Sequence, residues 1–285
     1  MVYKPKNPPN KKMTLEDEKK IIELYTKGKS GSEILKSLNF KFKTTKTIYD
    51  LLHRFGIRAR EKWEYNSVDH FYFSKIDNQH KAYVIGLLLA DGWLVEKDNS
   101  ISLSLSKSDR YIINYVKKQW KTDNKIIEIP GGKKIIAGRE VNVKPMSRIT
   151  VASPKMVEDL YRFGFTSDKT NDAVLPPIKI DLFGHMLRGF FDGDGTLYRN
   201  SVNKKWCIRF LGTKSVVSQI SYMLFHILDI DYKIPSQQRG ILYYIEWYIE
   251  RDLTKVLRLM YNNAEFCMRR KFNRAKLAIE ESKDK

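Results

Sequence analysis

Two aspartates, Asp91 and Asp194, each close an apolar, glycine-bearing stretch and are each followed by a glycine, in VIGLLLADG over 84–92 and LRGFFDGDG over 187–195. Gly86 and Gly189 are 103 residues apart, and so are Asp91 and Asp194, so a whole structural unit is duplicated rather than a short peptide. Two carboxylates held close together cannot both stay ionised unaided, and a divalent cation between them removes the conflict. Mg2+ takes such hard oxygen donors while keeping positions for phosphate oxygens and water. A metal so held polarises a phosphate and lowers the pKa of an attacking water. Asp91 and Asp194 are therefore expected to bind Mg2+, or another divalent cation such as Mn2+, with the backbone at Ala90 and Gly193 beside them.

Two acids 103 residues apart must be brought together by what precedes them. Gly86, Ala90, Gly189 and Gly193 keep one face of each motif segment small, so two such helices can pack with their backbones nearly touching and their C-terminal ends side by side. Each half then reads in one order, αββαββα. In the first, a motif helix at 80–90 leads to strands near 93–97 and 100–106, a helix at 108–120, strands near 124–129 and 141–152 and a helix at 154–163. In the second, a motif helix at 181–193 is followed by strands near 196–200 and 205–211, a helix at 214–229, strands near 232–236 and 240–249 and helices at 251–262 and 268–282. Ile101, Leu103 and Leu105 alternate with Ser100, Ser102, Ser104 and Ser106, and Trp206, Ile208 and Phe210 with Lys205, Cys207 and Arg209. Sheets buried on one face and hydroxylic or basic on the other suit a DNA groove, although a solvated face has the same pattern in any single strand. The fold class is α+β: two pseudo-symmetric subdomains, 80–180 and 181–285, forming a saddle of antiparallel sheets, behind a linker at 61–79 and a small all-α domain at 1–60.

Lys and Arg number 52 against 33 Asp and Glu, a net charge of +19, which on this chain is a footprint for a polyanion. Part of the surplus lies in the N-terminal domain. Helices are signalled from Thr14 to Gly28, from Ser32 to Leu38 and from Thr44 to Phe55, the last with Ile48, Leu51, Leu52 and Phe55 on one stripe. Three short helices read as a helix-turn-helix whose third helix would present Thr44, Thr45 and Thr47 to base edges, amid Lys41, Lys43, Lys46, His53, Arg54, Arg58 and Arg60. A plain three-helix bundle with solvated charges fits the same pattern, and the basic surplus favours DNA. Cys207 and Cys267 form no CxxC and suit a reducing compartment. No targeting segment and no apolar run long enough for a bilayer is visible, so a cytoplasmic protein is expected, with no membrane partner.

The two motifs resemble those of the LAGLIDADG homing endonucleases in their single-chain form. LRGFFDGDG is close to the family pattern; the first copy has Leu89 where an Asp is frequent. The resemblance covers residues 70–285 and implies a monomer that hydrolyses double-stranded DNA at a specific site, with Asp91 and Asp194 as catalytic, metal-binding acids serving one strand each. It also implies a basic residue late in each half, here Lys169 and Lys271, 78 and 77 residues after their acids, with Arg270 as the nearest substitute. Base contacts are then expected from Trp93, Val95, Lys97, Ser102 and Ser104 in one half and Thr196, Tyr198, Asn200 and Arg209 in the other. A non-cleaving transcription regulator and an intron RNA maturase are the alternatives, since a helix-turn-helix joined to this fold also occurs in regulators. Retention of both acids argues against the regulator. An intein fits less well, since the nucleophile and His-Asn of splice junctions are not found.

Overall fold

The computed structural model describes residues 13–38, 44–60, 67–136, 138–166, 173–248 and 250–282. The chain divides into two units, 1–66 and 67–285.

In the first unit, α1 (Leu15–Thr26), α2 (Gly31–Ser37) and α3 (Lys46–Arg54) close on a core of Ile21, Tyr25, Ile34, Leu38, Ile48, Leu51 and Leu52. Reciprocal capping boxes, Thr14 with Asp17 and Ser30 with Glu33, satisfy the first amides of α1 and α2. Gly31 lets α2 approach α3, since a Cβ there would sit 2.9 Å from the Tyr49 ring. Arg60 folds back on α1, its guanidinium 4.2 Å from the Tyr25 ring centre and donating to the Tyr25 carbonyl at 2.7 Å.

The second unit holds both halves. Residues 67–79, expected as part of a linker, pack into its core through Tyr72, Phe73 and Ile76, with Phe73 edge-on to Trp120. The first half runs α4 (Gln79–Asp91), β1 (Gly92–Val95), β2 (Ser100–Ser106), α5 (Arg110–Gln119), β3 (Ile127–Ile129), β4 (Gly132–Ile136), β5 (Arg139–Val143), β6 (Met146–Ala152) and α6 (Pro154–Arg162). The second runs α7 (Ile180–Asp194), β7 (Gly195–Arg199), β8 (Trp206–Gly212), α8 (Lys214–Leu228), β9 (Ser236–Arg239), β10 (Leu242–Trp247), α9 (Glu250–Tyr261) and α10 (Arg269–Glu281). The two four-stranded antiparallel sheets have the same order, β1-β2-β6-β3 and β7-β8-β10-β9, as a duplicated unit requires.

The halves differ where one strand was expected over 141–152. Pro145 has no N–H for the ladder, so the strand breaks there into β5 and β6, and β5 turns back on β4 as a separate hairpin. The second half has no such insertion: β9 joins β10 directly through Gly240. The serine face of β2 also departs from expectation. Ser100, Ser102 and Ser104 are buried, because longer side chains on the flanking strands lie over them. Ser102 Oγ is 2.7 Å from Thr150 Oγ1, and Arg148 Nε donates to Ser104 Oγ at 3.4 Å.

Both motif helices are buried nearly all round, α4 from Ala82 to Leu89 and α7 from Leu182 to Asp192, as central helices must be. They cross with main chain against main chain. A Cβ at Gly86 would stand 1.9 Å from the Met186 carbonyl oxygen, and one at Gly189 would stand 2.0 Å from that of Tyr83.

Gly189→Ala gains helix propensity of up to about 1 kcal/mol, but it must separate two backbones, and overpacking costs about 1–3 kcal/mol. Urea unfolding should show a net loss, as should Gly86→Ala. Gly212→Ala, whose Cβ meets nothing closer than 3.4 Å, should stay within about 0.5 kcal/mol of the parent.

Candidate active site

The crossing delivers the two acids to one place. α4 ends on Asp91 and α7 on Asp194, and each helix passes directly into the first strand of its sheet at the next residue. Those residues are glycines because a Cβ would strike the helix just left: 2.5 Å from a Leu88 methyl at Gly92, and 2.0 Å from the Phe191 ring at Gly195. Just before Asp194, Gly193 faces the end of α4. A Cβ there would lie 2.3 Å from the Ala90 Cβ and 2.6 Å from Asp91 Oδ2. The Asp91 carboxylate therefore lies against the last turn of the helix that carries Asp194.

Two carboxylates at two converging helix C-termini, where the carbonyl ends carry partial negative charge, suit a cation. Among the described residues no group of three His, Cys, Asp or Glu side chains surrounds a common point. The backbone carbonyl of Gly193, expected beside the metal, accepts from Lys271 Nζ at 3.3 Å.

Lys271 does not project into solvent as a free lysine. It is buried, and its ammonium donates to the carbonyls of Phe191 and Gly195 as well as Gly193, capping the C-terminus of α7. Burial pulls its pKa from the ordinary 10.5 to about 8, against the opposing pull of Asp192, Asp91 and Asp194. Its expected counterpart Lys169 lies outside the described residues.

Asp192 is the main residue that sequence reasoning missed. It is fully buried, and its Oδ2 accepts from the Tyr83 hydroxyl at 2.8 Å and from the Met268 N–H at 2.7 Å, while the Tyr261 hydroxyl reaches Oδ1 at 3.4 Å. Burial pushes its pKa up, and the Met268 N–H and the Lys271 charge oppose that. Burial and then the Asp192 charge raise the Tyr83 and Tyr261 hydroxyls well above their ordinary value, which keeps them as donors. Asp192 thus ties α7 to α4, to α9 and to the start of α10, from which Lys271 reaches back. Arg188, also buried, donates to the Met260 carbonyl at 2.7 Å and lies 5.3 Å from the Tyr83 ring centre. The positions 103 residues earlier, Leu89 and Ile85, are buried in apolar packing. At these two positions of the motif helices the second half is polar where the first is apolar.

The segment before α10 crosses into the first half. Phe266 stacks on Tyr115 at 3.6 Å with an 8° tilt and meets Tyr83 edge-on, while Gln79 Nε2 donates to Glu265 at 2.6 Å.

On the sheet faces, Thr196, Tyr198, Cys207, Arg209, Tyr244 and Glu246 share one side of the second sheet by register. Arg209 is not free to search: it bonds Glu246 at 2.8 Å and lies between the Tyr244 and Tyr198 rings. Asn200 Oδ1 accepts from the Val202 and Asn203 amides, so it shapes the 200–205 turn. In the first sheet, Trp93 and Val95 are half-buried, Trp93 under Arg148 at 4.7 Å, and Lys97 is exposed in a 3-10 turn. Ser102 and Ser104 are covered, and Arg148 and Thr150 stand in their place. The alternation of 146–152 and 242–247 is the signal for Arg148, Thr150, Tyr244 and Glu246. Of the N-terminal candidates, Thr44, Lys46 and Arg58 are exposed and Thr45 and Thr47 half-buried. Arg54 pairs with Glu18 at 2.9 Å, and Lys41 and Lys43 lie outside the described residues.

No protein-family model and no curated protein matches the sequence. Solved structures similar to it include the meganuclease I-SmaMI bound to uncleavable DNA, at 12% identity and a TM-score of 0.47 over 74% of this chain and 91% of that one. The I-LtrWI LAGLIDADG homing endonuclease bound to target DNA is similar at 9% identity and a TM-score of 0.49, over 76% and 92%. Full-length DUF199/WhiA from Thermatoga maritima is similar at 14% identity and a TM-score of 0.44, over 74% and 64%. Each likeness is distant. No helix among the described residues is long and apolar enough to cross a membrane.

The buried ammonium gives a signed pH dependence. Native Lys271 loses its proton near pH 8 and the unfolded side chain near 10.5, so between them the unfolded chain holds more protons and stability rises with pH. Relative to Lys271→Met, the wild type should gain stability from pH 8 to 10.5, and the difference should be flat below pH 8, as read by urea midpoints across that range.

Proposed function

We propose that this chain is a site-specific endonuclease for double-stranded DNA of the LAGLIDADG homing type, dependent on a divalent metal, with Asp91 serving one strand and Asp194 the other. The observation that carries the reading is the reciprocal backbone contact at Gly86 and Gly189, which brings the Asp91 carboxylate against the last turn of α7. A transcription regulator needs DNA-binding faces but has no use for two acids brought together at helix ends.

Asp91 and Asp194 are the residues that would hold Mg2+ or Mn2+, and a bound cation there would supply Lewis-acid polarisation of the scissile phosphate and a water of lowered pKa. The chain's own groups do the rest. The glycines fix the spacing of the two acids, and the buried helices leave them no rotational slack. Lys271 acts as a positioning residue, cancelling the negative end of α7 so that an incoming phosphate is not repelled. Lys169 is its proposed equivalent in the first half. The polar faces of the two sheets, with Thr196, Tyr198 and Arg209 on one and Trp93, Arg148 and Thr150 on the other, would lie in the major groove and read base edges. Glu246 holds Arg209 in one orientation, which is the pre-organisation that a bidentate contact to guanine requires.

The first unit would act as a helix-turn-helix module, with α3 as reader and Lys46 and Arg58 on phosphates. Its role is to lengthen the site and raise affinity by a second, tethered contact.

Selection of cut products from a randomised duplex library with Mg2+ is the direct test. The parent should enrich a defined sequence, and EDTA should abolish cutting. Loss of the metal-holding acid removes several kcal/mol of transition-state stabilisation, so Asp194→Asn should slow one strand about 100-fold or more and leave nicked product. Asp91→Asn should do the same on the other strand. Binding without cutting in any divalent metal would return the regulator reading. For the N-terminal module, Lys46→Ala with Arg58→Ala should flatten the dependence of log K on log salt by about 0.9 for each phosphate no longer neutralised, and an unchanged slope would remove the module from the interface.

A further inference from the structure

On the flank of the α7 C-terminus lies a cleft of about 230 Å³, walled by Gly193, Gly195 and Thr196 on one side and by Arg270, Lys271 and Arg274 on the other. The two glycines are the residues on either side of Asp194. Three cations line this cleft and they are not equivalent. Lys271 directs its donors to three carbonyls of α7 and its neighbouring strand. Arg270 keeps its Nε on Asp109 of the first half at 3.2 Å. Arg274, four residues on and so on the same face of α10, is exposed, and among the described residues it makes no ion pair and no side-chain hydrogen bond. Lys271 is directed to the helix end and Arg270 to Asp109, so the cation left to meet an incoming anion beside Asp194 is Arg274.

A guanidinium whose planar fork of donors is still open matches the oxygens of a phosphodiester, two at a time. The Thr196 side of the cleft belongs to the same sheet face that the proposed function lays against DNA. We propose that Arg274, with Arg270 orienting the cleft wall, binds a backbone phosphate of the strand cut at Asp194, next to the scissile one. The assignment rests on the endonuclease reading and adds to it a difference between the two strands. In sequence, the first half has Asp168 and Asp172 at 102 residues before Arg270 and Arg274, and Ser167 and Asn171 at the motif offset of 103. Neither register has an arginine there, so the proposed phosphate contact belongs to the second half alone.

The test uses the full chain and a duplex recovered by the cutting selection, labelled on both strands. Removing a charged hydrogen bond with Arg274→Ala should slow, by about 10-fold to 100-fold, the strand that Asp194→Asn slows. The other strand should stay within about twofold of the parent rate, nicked duplex should accumulate, and Arg274→Lys should recover part of the rate by restoring the charge. In EDTA, where no chemistry occurs, Arg274→Ala should lower the slope of log K against log salt by about 0.9. Equal slowing of both strands, or none, overturns the proposal, and so does an unchanged salt slope. If the parent protein binds DNA but never cuts it, the endonuclease reading fails, and the slope in EDTA on a duplex recovered by binding still decides whether Arg274 holds a phosphate.

Discussion

Everything chemical in this molecule hangs on one contact, the backbone of α4 against the backbone of α7. A methyl group at Gly86 or Gly189 would fall about where a carbonyl oxygen of the other helix already sits. That closeness forces the two helix ends together, and it makes each aspartate the last residue of a rigid, buried rod. Precision of this kind comes from close-packed interiors rather than from hydrogen bonds at the site itself. In consequence the crossing tolerates almost no change in side-chain volume.

Around that contact the two halves have drifted apart in chemistry while keeping one topology. Both sheets have the same strand order and both helices end on Asp-Gly. In the second half, Arg188 and Asp192 stand where the first has Ile85 and Leu89 in apolar packing. Directional buried hydrogen bonds specify geometry more sharply than an apolar core does. Asp192 has three donors within reach, so the position of α10 relative to α7 is set by directional bonds.

Much of this architecture was legible in the sequence because its signals are local. The duplicated motifs, the helix stripes and the alternation in β2 and β8 each reside in a few consecutive residues, and a constant offset of 103 linked the halves. What was not legible depends on direction rather than spacing. Lys271 sits where a late basic residue was expected, yet only the fold reveals that its ammonium turns back onto three carbonyls. Ser102 and Ser104 alternate correctly, and their burial comes from Thr150 and Arg148, on a strand that pairs across a long loop. Leu89 and Asp192 looked like a lapse in one copy and a habit in the other; the partners that give Asp192 its role, Tyr83, Tyr261 and Met268, lie more than 65 residues away in sequence. The β4–β5 hairpin was missed because β4 lies between the expected strands and the end of β5 was read into one strand with β6 across Pro145.

The stacking of Phe266 on Tyr115 bears on how the molecule is made. Synthesis releases the Tyr83 and Tyr115 rings of the first half about 180 and 150 residues before the aromatic ring that covers them. Until Phe266 emerges from the ribosome that face is open, α7 lacks the Met268 amide and the Lys271 cap, and the nascent chain carries its acids without the frame that holds them. Maturation of the site is therefore a closing event that must wait for α10.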